Sequence, residues 1–165
     1  DQWTPAECDV SIRPGWFYHP EEDDRVKSPE QLADLYYRSV GHNATLLLNF
    51  PVDREGLIHP IDSANAVNFH KLIQRELQHN LVAGMTPKVS NERSKAFAAK
   101  AMTDDSWDTY WATADGVTSA TITFDFKNPQ LMNRIMLQEY IPLGQRVKKF
   151  AVEYLDGKTW RRVAR

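Results

Sequence analysis

What the chain has little of sets the first limits. Cys8 is its single cysteine, so no internal disulfide framework exists. One thiol also makes a poor zinc site, and no His-Glu-x-x-His pattern occurs. No apolar run exceeds a few residues, which leaves no segment for a transmembrane helix. Acidic and basic residues nearly balance at a net charge of −2, so nothing electrostatic favours nucleic acid or an anionic membrane as partner. No signal-peptide pattern opens the chain, which begins at Asp1 rather than Met. It is therefore read as processed, or cut from something larger. The 165 residues suffice for one ordinary domain or two small ones. Hydrophobic content of 42% with 25% charged residues is that of a soluble globular protein.

What is present concentrates near the start. Residues 3 to 19 hold Glu7, Asp9, Arg13, His19 and four aromatics: Trp3, Trp16, Phe17 and Tyr18. Asp9-Val10-Ser11-Ile12 alternates polar and apolar, as a short strand does. Pro14-Gly15 then signals a turn into the aromatic run. Aromatic faces beside carboxylates, Arg and His suit a sugar, whose apolar ring face stacks while its hydroxyls seek donors and acceptors. The plainer reading is that three consecutive aromatics belong to a core and that His19 is a satisfied polar group.

Further on, Glu21–Asp24 reads as a solvated acidic loop. A helix follows, with Ser28 as N-cap, Pro29 in the first turn and Gln31 completing a capping box. Leu32, Leu35, Tyr36 and Val40 share its apolar face, and Gly41 is its expected C-terminal cap. The short apolar run from Ala44 to Asn49 fits a parallel strand covered on both faces. The loop from Pro51 to Pro60 is expected to turn at Gly56. A second helix is expected from an N-cap at Asp62 to about Gln78, burying Ala66, Phe69, Ile73 and Leu77. Strand, helix, strand, helix is the pattern of an α/β protein.

From about Asn80 the periodicity changes to that of strands, expected at Thr121–Phe126, Arg134–Tyr140, Lys149–Leu155 and Thr159–Val163. Turns at Lys127-Asn128-Pro129, Gly144 and Asp156-Gly157 separate them, which suggests an antiparallel β-sandwich.

The opening motif, from Trp3 through Pro5, Glu7, Asp9 and Arg13 to Trp16-Phe17-Tyr18-His19, resembles a signature of the α-L-fucosidases of glycoside hydrolase family 29. The likeness is to their α-1,3/4 branch and continues through Val26-Lys27-Ser28 and Asn43–Ile58. One departure is Phe50-Pro51-Val52-Asp53-Arg54, where Pro-Pro-Asp-Arg is frequent. The second half resembles a discoidin-like, galactose-binding-like module at Phe97–Ala101, Asp108–Ala112, Ile122–Asp125, Asn133–Glu139 and Gly144–Phe150. These resemblances imply an α/β plus all-β chain. Residues 1–82 would be the last two βα units of a (β/α)8-type barrel, and residues 83–165 part of an antiparallel β-sandwich, expected to be truncated.

The resemblance further implies a retaining glycoside hydrolase that releases terminal α-L-fucose, with a fucosylated glycan as partner and a periplasmic or extracellular location. Retaining chemistry needs two carboxyls about 5–5.5 Å apart on opposite sides of the sugar. Glu7 and Asp9, with one residue between them, would project from one strand face about 6.5–7 Å apart at Cα. They approach from one side and are not read as the catalytic pair. The nucleophile and acid/base are expected upstream of Asp1, in a missing part of the barrel. What this chain supplies is then part of the substrate-binding wall: Glu7, Asp9, Arg13, Trp16, Tyr18, His19 and Asn49. Trp16 would pack on the fucose methyl side. Arg13 would hold substrate or the carboxylate of Glu7 or Asp9, a purely structural ion pair being the alternative. Asn49 has an alternative as a strand-end turn cap. Catalysis requires no cofactor. Modules like the second half often hold a structural calcium, here in the loop 103–109, where Asp104 and Thr109 keep usable oxygens and Ser106 replaces a common ligand. The contrasting readings are a non-catalytic carbohydrate-binding module, or an ordered fragment inert on its own.

Overall fold

A computed structural model describes residues 4–164. Trp3, part of the opening motif, lies outside the described residues. The chain divides into two compact units, residues 1–80 and 81–165.

In the first unit, strand β1 (Glu7–Ser11) leads through a 3-10 turn (Pro20–Arg25) to helix α1 (Pro29–Ser39). Strand β2 (Thr45–Asn49) and helix α2 (Pro60–Leu77) follow. β1 and β2 pair in parallel, from Glu7 opposite Thr45 to Ser11 opposite Asn49. A parallel pair needs a crossover, and α1 provides it.

α1 starts where its sequence says. The Ser28 side chain accepts from the Gln31 N–H, and the Gln31 side chain accepts from the Ser28 N–H. Pro29 occupies the first turn, where its missing N–H costs nothing. The other end differs from expectation. α1 gives way to a tighter turn, Val40–His42, and Asn43 at φ 64° is the left-handed residue that ends it, not Gly41. Asn tolerates that region because its short side chain can bond locally.

α2 also departs from expectation. His59 is its N-cap, with Nδ1 accepting from Ile61 N at 3.4 Å, and Pro60 opens the first turn. Asp62 lies inside the helix and is fully buried. Asp is a common cap, but here its carboxylate has a distant partner. Before α2, Asp53 Oδ1 accepts from the N–H groups of Glu55 and Leu57, both at 2.9 Å. That loop turns at Gly56, whose φ is 79°.

Ile12, just after β1, and Leu32 and Ala33 on α1 are buried. Full burial of a side chain such as Leu32 stabilises by about 1.5–3 kcal/mol. Of the expected α2 stripe, Ala66, Phe69 and Ile73 are half-buried, whereas Leu77 is exposed. Tyr36, Leu46, Leu48, Phe69 and Ile73 line an apolar hollow.

The second unit contains β3 (Lys88–Val89), β4 (Ile122–Thr123), β5 (Val152–Asp156) and β6 (Thr159–Ala164). β3 pairs with β4 and β5 with β6, both antiparallel. Gly157, at φ 63°, takes the first loop position of the β5–β6 hairpin, where a two-residue loop of type II′ requires positive φ. Tyr110 stacks on Tyr140 with centroids 4.5 Å apart and meets Phe97 at a tilt, 5.0 Å away. Trp111 Nε1 donates to the Asn91 carbonyl at 3.1 Å.

Two expectations for this unit are corrected. Thr121–Phe126 contains a strand of only Ile122–Thr123, and Arg134–Tyr140 forms none among the described residues. Alternation prepares a segment for a sheet, but the ladder needs a paired neighbour. Among the described residues no sheet ladder includes Arg134–Tyr140, and Met136 and Leu137 are exposed.

Candidate functional site

The register of β1 and β2 places Glu7, Asp9, Ser11, Thr45, Leu47 and Asn49 on one face, because alternate residues of a strand share a face. Along β1 the rise is about 3.3 Å per residue, so Glu7 lies about 13 Å and Asp9 about 7 Å behind Ser11. Glu7 opens the strand, away from the groups gathered at its far end. Those groups are Arg13, Trp16, Tyr18, His19 and Asn49.

Asn49 joins the two strand ends. Its Nδ2 donates to Ser11 Oγ at 3.0 Å and to the Trp16 carbonyl at 3.1 Å. It therefore fixes the aromatic turn from below. Trp16 remains 51% exposed and Phe17 78% exposed. Both side chains are exposed, while the Trp16 carbonyl is held by Asn49.

Arg13 does something other than hold Glu7 or Asp9, and that expectation is corrected. Its guanidinium is fully buried, with Nε and Nη2 donating to the two oxygens of Asp62, both at 2.8 Å. Nη1 donates to Asp23 Oδ1 at 2.8 Å and to the His19 carbonyl at 3.4 Å. Asp62 comes from α2 and Asp23 from the 3-10 turn, so Arg13 ties three parts of the unit together. Hydrogen bonding to Asp62 raises the Arg13 pKa above its ordinary value against the opposing effect of burial, and Asp23 adds to the rise. A buried cation needs such partners.

Tyr18 is half-buried. Its ring lies 4.7 Å from the Arg13 guanidinium carbon and stacks on His59 at 5.7 Å. His59 Nε2 is 3.7 Å from Asp23 Oδ2. His19 is more exposed, with Nδ1 at 4.0 Å from Glu21 Oε1. The Lys27 ammonium donates to the Ser11 carbonyl at 2.7 Å and to the Arg13 carbonyl at 3.3 Å. The carbonyls at the end of β1 are thereby satisfied without further sheet.

Sequence reading missed Asp23, Lys27, His59 and Asp62. Asp23 sat inside an acidic run that reads as solvated, yet this run forms a 3-10 turn with one carboxylate aimed inward. Asp62 resembled a helix cap. No local spacing marks either as a partner of Arg13.

In the second unit, Thr109 Oγ1 donates to Asp104 Oδ2 at 2.8 Å, and the Ser106 N–H donates to Oδ1 at 3.1 Å. Asp104 and Thr109 are thus neighbours. No group of three or more His, Cys, Asp or Glu side chains able to hold a metal forms among the described residues. Calcium takes six to eight oxygens, main-chain carbonyls among them.

Residues 86–165 match the F5/8 type C domain family, a discoidin-like β-sandwich. A candidate α-L-fucosidase 1 of Oryza sativa subsp. japonica is 40% identical over 165 residues, covering 98% of this chain and 32% of the relative. The crystal structure of a candidate α-L-fucosidase from Bacteroides thetaiotaomicron matches at TM-score 0.87 and 43% identity, covering 99% of this chain and 36% of that one. A Ruminococcus gnavus GH29 fucosidase solved in complex with fucose matches at TM-score 0.65 and 39% identity, over 73% of this chain and 24% of that one. The chain is homologous to α-L-fucosidases and spans about a third of the length of the curated relatives it matches.

Proposed function

We propose that this chain is part of a retaining α-L-fucosidase acting on α-1,3/4-linked fucose, and that it supplies one wall of the sugar site. The carrying observation is the Trp16-Phe17 turn, exposed yet pinned by Asn49 at the C-terminal ends of two parallel strands. Barrel enzymes bind substrate at that end of their strands. In this reading β1, α1, β2 and α2 are the last two units of such a barrel. An exposed indole offers the apolar sugar face a stacking surface. Glu7 and Asp9 share one strand face and cannot flank a sugar, so both catalytic carboxylates belong to the remainder of the barrel. The fucosylated glycan is met in the periplasm or outside the cell.

The test is twofold. L-fucose should quench or shift tryptophan fluorescence in the wild type, and Trp16→Ala should weaken that response roughly tenfold. The longer protein should release fucose from a branched α-1,3/4-fucosylated trisaccharide. Absence of both responses overturns the proposal.

The F5/8 type C match favours a second reading, a non-catalytic carbohydrate-binding module. Sugar binding that survives Trp16→Ala, with no turnover by the longer protein, selects it.

A further inference from the structure

We propose that Arg13 is a positioning residue for the sugar-binding turn, acting through the backbone and ring of residues 18 and 19 without touching the sugar. Its effect on sugar affinity rests on the fucosidase reading above; its effect on the turn does not.

The geometry is that of a closed loop. Arg13 is the residue from which the Pro14–His19 segment departs, and its Nη1 reaches the carbonyl of His19, where the segment ends. The same guanidinium lies against the Tyr18 ring, within the range of a cation–π contact. One side chain therefore grips both ends of the turn that displays Trp16 and Phe17. The guanidinium itself cannot wander, because Asp62 holds it through two bonds and Asp23 through a third. Its planar fork suits this work, since one rigid group meets several acceptors at once. Asn49 pins the middle of the turn at the Trp16 carbonyl. With start, middle and end fixed, the exposed indole is presented in one orientation. Burial keeps Arg13 itself from any ligand.

Arg13→Ala would leave Asp62 as an unpaired buried charge and risks unfolding the unit. Asp23→Asn is the better probe, because Asp23 is 32% exposed and Asp62 still satisfies Arg13. Arg13→Lys is the second variant, keeping charge while losing the fork. The Trp16 indole N–H resonance, assigned through Trp16→Phe, reports the turn directly in 15N-labelled protein. Both variants should shift that resonance and lower its order parameter, with the thermal unfolding of Asp23→Asn remaining cooperative. L-fucose should then bind Asp23→Asn roughly five- to tenfold more weakly, as the competent turn becomes a minor state. An unchanged Trp16 resonance in both variants overturns the proposal. So does a changed resonance accompanied by wild-type fucose affinity. A changed resonance in a protein whose wild type neither binds L-fucose nor, in its longer form, releases fucose from the trisaccharide upholds the clasp on the turn and overturns the fucosidase reading instead.

Discussion

Asp62→Ala should destabilise the first unit severely. In the native state Arg13 and Asp62 are both fully buried and share two bonds of 2.8 Å. Removing one partner of a buried pair costs about 3–5 kcal/mol, because the other charge is left without compensation. Here Asp23 keeps its bond to Arg13 and is partly solvated, so the lower end applies, about 3 kcal/mol. For a unit of this size each kcal/mol lowers the melting midpoint by about 4–8 °C, which makes the expected fall roughly 12–24 °C. Urea denaturation followed by amide NMR would read the first unit separately. The companion variant Arg13→Met with Asp62→Leu replaces both charges by apolar groups of similar volume and should lose far less, as such replacements are often neutral. A loss below about 1 kcal/mol in Asp62→Ala would refute the reasoning. A double variant as damaged as the single one would do so too, since the cost would then not lie in an orphaned charge.

Further predictions concern the ends of α1 and the turn before α2. Ser28→Ala removes the N-cap and should cost about 1 kcal/mol, measured by the same urea method. Glu30 accepts from its own backbone N–H and from the Ser28 hydroxyl, which hold its carboxyl below the usual glutamate range. A folded pKa that is depressed contributes stability above the unfolded pKa, lost as pH falls through the folded one. A carboxyl 13C titration should therefore place Glu30 below an ordinary glutamate, and Ser28→Ala should move it back up. Gly56 has φ 79° with nothing within 4 Å of an added Cβ, so Gly56→Ala should cost about 1 kcal/mol through backbone strain alone. Gly41 lacks a positive φ, and an added Cβ would meet Tyr37 at an ordinary 3.8 Å. Gly41→Ala should then be neutral or stabilise by up to about 1 kcal/mol in thermal unfolding.

The sequence by itself determined the features that use near neighbours. The Ser28–Gln31 box, the turn at Gly56, the Asp156-Gly157 hairpin and the parallel strand–helix–strand order each rest on groups a few residues apart or on one period of hydrophobicity. Trp16 could be singled out because an aromatic run after Pro14-Gly15 is unusual chemistry in a short space. Tertiary structure alone decided how that chemistry is held. Arg13 and Asp62 are 49 positions apart, and Asn49 and Trp16 are 33 apart. An Asp that caps a helix and an Asp that anchors a buried arginine look alike in sequence, as do a solvated carboxylate and Asp23. The alternation of Arg134–Tyr140 likewise did not decide whether a sheet ladder would form there, and among the described residues none does. Side-chain type and spacing fix what a residue can bond to within its own turn or strand, but a long-range partner exists only once the fold has brought two distant segments together.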